Sequence, residues 1–120
     1  LSWSEWENYH RQFKLLLKHK SQKKPVMKTG IIIPCHNEEN RLDITAYLSF
    51  LKKGSDVHLC FINDKSCDNT ATMLKDLQSY DPYKVSVLET ESNLGKAAAI
   101  RTGAKYLKDR TDIHHIELMI

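Results

Sequence analysis

Short, nearly unbroken apolar runs alternate along this chain with longer stretches in which apolar residues return every third or fourth position. The runs Ile31–Pro34, Val57–Ile62, Lys84–Leu88 and His114–Ile120 read as strands. The stretches between them read as helices. The first runs from about Glu38 to Lys52, with Leu42, Ala46, Leu48 and Leu51 turned to the sheet. A second is capped by Asp68 and reaches about Ser79, with Ala71, Leu74 and Leu77 inward. A third spans Gly95–Leu107, with Ala98, Ile100, Ala104 and Leu107 inward. Pro34 has no backbone donor and is expected to end the first strand. Gly54-Ser55 and Asp81-Pro82 supply turns. This alternation predicts an α/β fold, a mostly parallel sheet flanked by helices. Right-handed crossovers then bring every strand's C-terminal end to one edge.

The first 28 residues follow another rule. Trp6, Tyr9, Phe13, Leu16 and Leu17 recur at helical steps, with Trp3 one turn earlier and Ser2 and Glu5 placed for a capping box. Residues 1–28 therefore read as a basic amphipathic leader helix and linker, and residues 29–120 as one domain. The leader holds seven Lys/Arg against two Glu, while the rest holds eleven against thirteen acidic residues. Such a helix suits packing against another part of the protein or a partner, or an anionic membrane surface. The slightly acidic body argues against a nucleic-acid partner. No apolar run is long enough to span a bilayer, so the expected location is the cytoplasm or the cytoplasmic face of a membrane. Leu1 at the start and an apolar strand at the end suggest a segment of a longer protein.

Cys35, Cys60 and Cys67 lack zinc-site spacing. Their odd number points to a reducing compartment. Cys60 belongs in a core strand, and Cys35 reads as a small buried residue rather than a catalytic thiol. His114 and His115 face opposite ways on a strand and make a poor metal pair.

Three polar segments follow predicted strands, where open α/β sheets bind ligands. They are Pro34-Cys35-His36-Asn37-Glu38-Glu39, Asn63-Asp64-Lys65-Ser66-Cys67-Asp68-Asn69-Thr70 and Asn93-Leu94-Gly95-Lys96. Asp64 suits a base N–H or a ribose hydroxyl, or else the backbone N–H groups of its own loops. Ser66, Asp68 and Thr70 suit loop shaping. Lys96 opposes the dipole of the helix it opens, so a ligand role, to a base carbonyl or phosphate, stands level with a solvated place in the first turn. His36 is acid or base by type but has no visible partner, and loop packing is its default. A Gly-x-Gly-x-x-Gly turn and a Walker loop are both absent.

In order and spacing these segments resemble the N-terminal half of family 2, GT-A-type glycosyltransferases, over about residues 29–120. The match rests on Ile31-Ile32-Ile33-Pro34 followed by His36-Asn37-Glu38-Glu39, on the Asn63–Thr70 loop, and on Asn93 and Gly95-Lys96 with Ala99 and Gly103 downstream. A looser similarity is to enzymes that charge polyprenyl phosphates. The resemblance implies a partial GT-A, Rossmann-like domain. In it Pro34, Cys35, His36, Asn37, Glu38, Asp64, Asn93, Gly95 and Lys96 form the nucleotide pocket, while Ser66, Asp68 and Thr70 shape its loops. It implies a UDP- or GDP-sugar donor and a glycan or polyprenyl-phosphate acceptor. It also implies Mg²⁺ or Mn²⁺ held by an Asp-x-Asp motif beyond residue 120, with no metal ligand and no assignable catalytic residue within this chain. The segment alone is expected to be inactive. Lys65 departs from the small residue usual at its position, and Ala97 from the usual Gly. The alternatives are a non-catalytic interaction or regulatory domain of degenerate GT-A fold, and a nucleotidyltransferase, whose Gly- and Arg-rich phosphate loop is missing.

Overall fold

The computed structural model describes residues 2, 4, 5, 7, 11, 12, 28–91 and 94–119. Four strands and three helices alternate: β1 (Lys28–Cys35), α1 (Ile44–Lys52), β2 (Val57–Asn63), α2 (Thr70–Tyr80), β3 (Val85–Glu89), α3 (Lys96–Lys108) and β4 (Ile113–Leu118). Every pairing is parallel, and the order across the sheet is β3-β2-β1-β4. The chain thus steps outward twice from β1, then crosses back to its other side. Right-handed crossovers put α1 and α2 on one face and α3 on the other. The core is split accordingly. Phe61, Leu59, Ile33, Leu74, Leu77 and Val85 pack under α1 and α2. Ile32, Cys60, Ile62, Ala99 and Leu107 pack under α3. The central strand β2 is buried on both faces, which is why it reads as a continuous apolar run rather than an alternation.

Three local expectations are corrected. β1 does not stop at Pro34 but continues through Cys35, whose carbonyl accepts from Asp64 N at 2.8 Å. On β1's other side the Ile32 carbonyl accepts from Met119 N at 2.9 Å. Alternate residues face alternate neighbours, so Pro34 shares Ile32's side. Its missing N–H falls where β4 has already ended at Leu118, and the ladder loses nothing. The first helix begins at Ile44, not Glu38. Glu38 instead closes a turn, accepting from Arg41 N and Leu42 N at 2.9 and 2.8 Å. Asp43 then caps the helix through Ala46 N at 3.0 Å. Tyr47 and Phe50 join Leu48 and Leu51 over the sheet, and Tyr47 meets the Phe61 ring edge-on at 5.2 Å, while Ala46 is exposed. In α3 the inward stripe is Ala99, Gly103 and Leu107, one step out of phase with the expected Ala98 and Ile100. A Cβ on Gly103 would stand 2.6 Å from Ile62 Cδ1, so glycine lets the helix lie close on the sheet. β1 begins three residues earlier than expected, at Lys28, and the other strand ends lie within two residues of expectation.

In the leader, Ser4, Glu5, Glu7, Arg11 and Gln12 are helical. Ser2 Oγ accepts from Glu5 N at 3.2 Å, and Glu5 Oε2 accepts from Ser2 N at 3.4 Å, forming the capping box. The apolar stripe Trp3, Trp6, Tyr9, Phe13, Leu16 and Leu17 lies outside the described residues, as do Asn93 and Ile120. Among the described residues no helix is long and apolar enough to cross a membrane.

A buried polar cluster closes the other end of the sheet. His58 is 2% exposed at the start of β2. Its Nδ1 faces the Tyr83 carbonyl at 3.1 Å, which can only accept, so Nδ1 carries the proton. Nε2 then accepts from Ser86 Oγ at 2.7 Å, and Arg110 Nη1 lies against the ring, 2.9 Å from Nε2. Arg110 also forks onto Asp112 at 2.8 and 3.0 Å, with Lys28 beyond at 3.6 Å. Burial, and then the Arg110 charge, hold the His58 pKa below its ordinary value. The unfolded chain therefore takes up this proton first as pH falls. His58 leaves stability intact above about pH 6.5 and removes it progressively below, down to its depressed folded pKa. The expected result is a urea midpoint that falls between pH 7 and 5, with a clearly shallower slope in His58→Gln. Equal slopes would remove His58 from this account.

Candidate nucleotide site

β1, β2 and β4 all end at one edge of the sheet. Between β1 and β4 the strand order reverses, and such a switch point leaves a crevice in open α/β sheets. A cleft of about 330 Å³ lies there, lined by Pro34, Cys35, His36, Glu38, Asp64, Gly95, Lys96, Ala99 and Met119. Residues more than sixty positions apart in sequence meet only because parallel strands end together.

Asp64 follows β2 directly and is 4% exposed. Oδ1 accepts from Thr90 Oγ1 at 2.7 Å and from Leu94 N at 3.2 Å, and Oδ2 accepts from Gly95 N at 3.0 Å. The Thr90 bond, then the Gly95 and Leu94 amides, outweigh desolvation and hold the carboxyl below the usual aspartate range. Asp64 is thus an ionised latch on the turn that opens α3. Gly95 suits that turn because its φ is +93°, where other residues are strained. Each carboxylate oxygen has two lone-pair directions, and Oδ2 has used one. One acceptor position remains toward the cleft.

His36 donates from Nδ1 to the Asp64 carbonyl at 2.6 Å, because a carbonyl only accepts. Asn37 Nδ2 lies 3.3 Å from Nε2, which accepts it. Both ring nitrogens have partners in the fold, and the geometry makes His36 a strut between the β1 and β2 loops. Asn37 does not line the cleft. Its N–H donates to Ser66 Oγ at 2.9 Å, and its Oδ1 accepts from Cys67 N at 2.8 Å. Its φ is +50°, a conformation that Asn tolerates better than most side chains.

The same two loops are joined further out. Glu38 N donates to Thr70 Oγ1 at 2.9 Å and Glu39 N to Asp68 Oδ2 at 3.2 Å. Asp68 Oδ1 also accepts from the Thr70 N–H at 2.9 Å and from the Thr70 hydroxyl. These bonds hold the Asp68 carboxyl below its ordinary pKa, the Thr70 hydroxyl most of all. The N-cap position itself is Asn69, one residue later than expected, so Asp68 acts from just outside the helix. Ser66 is fixed by Asn63 Oδ1 at 2.6 Å. Lys65 sits between them at φ +44°. That left-handed backbone is the reason a small residue suits the position, and Lys65 adopts it at some strain.

Glu38 is held by Arg41, with Nε–Oε2 at 3.0 Å. Lys96 is exposed in the first turn of α3, a turn without acidic residues. Burial pushes the Cys35 thiol up to about 12, so it stays protonated and is part of the wall, not a nucleophile. Ala99 and Met119 line the cleft, and Thr90 holds Asp64 from behind it; sequence reasoning missed all three in these roles. Thr90 carries no motif, and Met119 arrives only through β4 pairing. Among the described residues no group of three His, Cys, Asp or Glu side chains could hold a metal ion.

The sequence profile described as glycosyl transferase family 2 matches residues 30–111, most of the chain. The chain belongs to glycosyl transferase family 2. It is 28% identical over 95 residues to the poly-beta-1,6-N-acetyl-D-glucosamine synthase of Staphylococcus epidermidis, an alignment covering 79% of this chain and 23% of that protein. The fold is similar to that of S. aureus TarS, with TM-score 0.57 and 21% identity over 78% of this chain and 16% of that one. It is also similar to the mannosyltransferase PcManGT from Pyrobaculum calidifontis, solved in complex with GDP-Man and Mn²⁺. That likeness has TM-score 0.54 and 20% identity, covering 70% of this chain and 24% of that one. The chain thus spans less than a quarter of each of these proteins. Its four-stranded parallel sheet is part of a GT-A, Rossmann-like domain, and its family is one of sugar-transferring enzymes.

Proposed function

We propose that this chain forms the donor-nucleotide half of a glycosyltransferase that uses a UDP- or GDP-linked sugar. The observation that carries the reading is the latched Asp64. A buried, ionised carboxylate with one acceptor position left over faces a cleft whose rim carries Lys96. That pairing suits a flat heterocycle with a ring N–H donor and a carbonyl acceptor, a pattern that uracil and guanine both offer. Pro34, Cys35, His36 and Ala99 are among the residues that line the cleft. Glu38 lines the same cleft, engaged by Arg41, and suits a ribose hydroxyl.

In the whole protein an acceptor oxygen attacks the sugar's anomeric carbon as the bond to the nucleoside diphosphate breaks. A hydroxyl acceptor gives its proton to a base outside the residues described, whereas a phosphate acceptor attacks as an anion, and the expected stereochemical outcome is inversion. Mg²⁺ or Mn²⁺, when bound to residues beyond 120, supplies charge neutralisation for the leaving diphosphate. The acceptor is a glycan hydroxyl or a polyprenyl phosphate, which places the enzyme in cell-envelope or other glycan synthesis. The basic leader of residues 1–28 suits the anionic cytoplasmic surface where such acceptors lie.

Calorimetric titration of the full-length protein with UDP-N-acetylglucosamine and GDP-mannose, with and without Mn²⁺, tests this reading. One donor is expected to bind in the micromolar range, with its nucleoside diphosphate competing. A folded protein that binds neither sugar nor nucleotide under either condition would refute the donor-site assignment and favour a non-catalytic interaction domain.

A further inference from the structure

We propose that Thr90 is a positioning residue of the nucleotide pocket, holding Asp64 in the one orientation that latches the α3 turn and leaves an acceptor for the ligand. This rests on the donor-site reading above.

Thr90 stands just past the end of β3, one strand away from the cleft it controls, and is not among the cleft-lining residues. Its backbone N–H donates to the Asn63 carbonyl at 3.1 Å, which extends the β2–β3 ladder by one step and fixes Thr90 beside Asp64. The hydroxyl then donates to Asp64 Oδ1 at 2.7 Å. A carboxylate held only by Leu94 N at 3.2 Å and Gly95 N at 3.0 Å is anchored from one side, by two residues that belong to no helix or strand. Thr90 anchors it from the other side, on a strand end in the sheet. The sequence of restraint runs from the rigid β2–β3 ladder through the Thr90 hydroxyl to Asp64, and from Asp64 to the turn that presents Gly95 and Lys96. The same hydroxyl is the largest cause of the lowered Asp64 pKa. Threonine suits the task because its branched Cβ restricts χ1 and limits the directions of the hydroxyl.

The test is a pair of variants in the full-length protein. Thr90→Val keeps the shape and removes the donor, and Thr90→Ser restores it. Binding of UDP and of GDP is followed by calorimetry. In parallel, ¹³C-carboxyl NMR follows the titration of Asp64, and hydrogen exchange follows the Leu94 and Gly95 amides. Thr90→Val is expected to weaken nucleotide binding about tenfold, to move the Asp64 titration up toward the ordinary aspartate range, and to speed exchange at Leu94 and Gly95. Exchange in the centre of β2 should stay as in the wild type. Thr90→Ser is expected to return affinity to within about twofold. If Thr90→Val binds nucleotide as tightly as a wild type that does bind, or if Asp64 and the two amides behave as in the wild type, Thr90 does not position the site. If the wild type binds no nucleotide, the donor-site reading falls and the pocket role of Thr90 with it. The wild-type titration tells these two failures apart.

Discussion

Asp64→Ala is expected to weaken nucleotide binding at least thirtyfold and to lower folding stability by about 3 kcal/mol. The carboxylate receives three donors, from Thr90, Leu94 and Gly95. Hydrogen bonds to a charged group contribute about 1.5–3 kcal/mol each, and stranded donors cost about 1–3 kcal/mol when no water reaches them. The three losses do not add, because one carboxylate serves all three donors and the neighbouring cleft admits water. Loss of the latch also releases the turn that presents Lys96, so affinity falls beyond the one ligand contact removed. Asp64→Asn makes the sharper comparison. Its carbonyl can replace only one oxygen, and its amide group then turns N–H toward a Leu94 or Gly95 N–H. Donor facing donor makes Asn nearly as damaging as Ala. Urea unfolding and calorimetric titration of both variants check this, and an Asn variant with wild-type stability and affinity would sink it. The carboxylate's lowered pKa adds a pH signature. Its contribution is full above the ordinary aspartate pKa of about 3.9 and is lost as pH falls through the folded value. That acid-limb loss should shrink in Asp64→Asn.

Gly103→Val is expected to cost about 3 kcal/mol and to weaken nucleotide binding as well. A Cβ at position 103 would lie 2.6 Å from Ile62 Cδ1 and 3.0 Å from Ile32 Cγ2. Both isoleucines are within 2% of complete burial, so neither has free space to move into. Overpacking a core costs about 1–3 kcal/mol, and a β-branched side chain in a helix has few rotamers with which to escape. Gly103→Ala should cost less, about 1 kcal/mol, because alanine recovers roughly 1 kcal/mol of helix propensity. The Val variant must lift α3 from the sheet. Because α3 carries Gly95, Lys96 and Ala99 at its other end, the lift opens the cleft. A Val variant within about 0.5 kcal/mol of wild type by urea unfolding would show that the contact is not tight.

Much of the candidate site was legible in the chain because strand ends and helix starts advertise themselves locally. Asp64, Gly95 and Lys96 were expected at one edge from the alternation of elements alone, and the structure brings them to one cleft. The role of Asp64 was not legible. Base acceptor and loop anchor are both reasonable for a carboxylate after a strand, and only its three donors show how much of it the fold consumes. Asn37 illustrates the reverse. Expected at the pocket, it is used to tie two loops, since its partners Ser66 and Cys67 are about thirty residues away. Thr90 was invisible for the same reason.

What the sequence by itself determined is the succession of four strands and three helices, the parallel sheet, the edge where the candidate cleft lies, and the family. The elements and the edge rest on periodicity and turn chemistry, and the family on the resemblance of its motifs; all are readable from neighbouring residues. Only the tertiary structure decided which face of α3 is buried, that β1 runs through Pro34, that the first helix waits for Asp43, and that Asp64 is latched by Thr90. A helix face is set by what it packs on, and a donor's acceptor by what stands opposite. Both depend on contacts between segments that the order of residues does not place side by side.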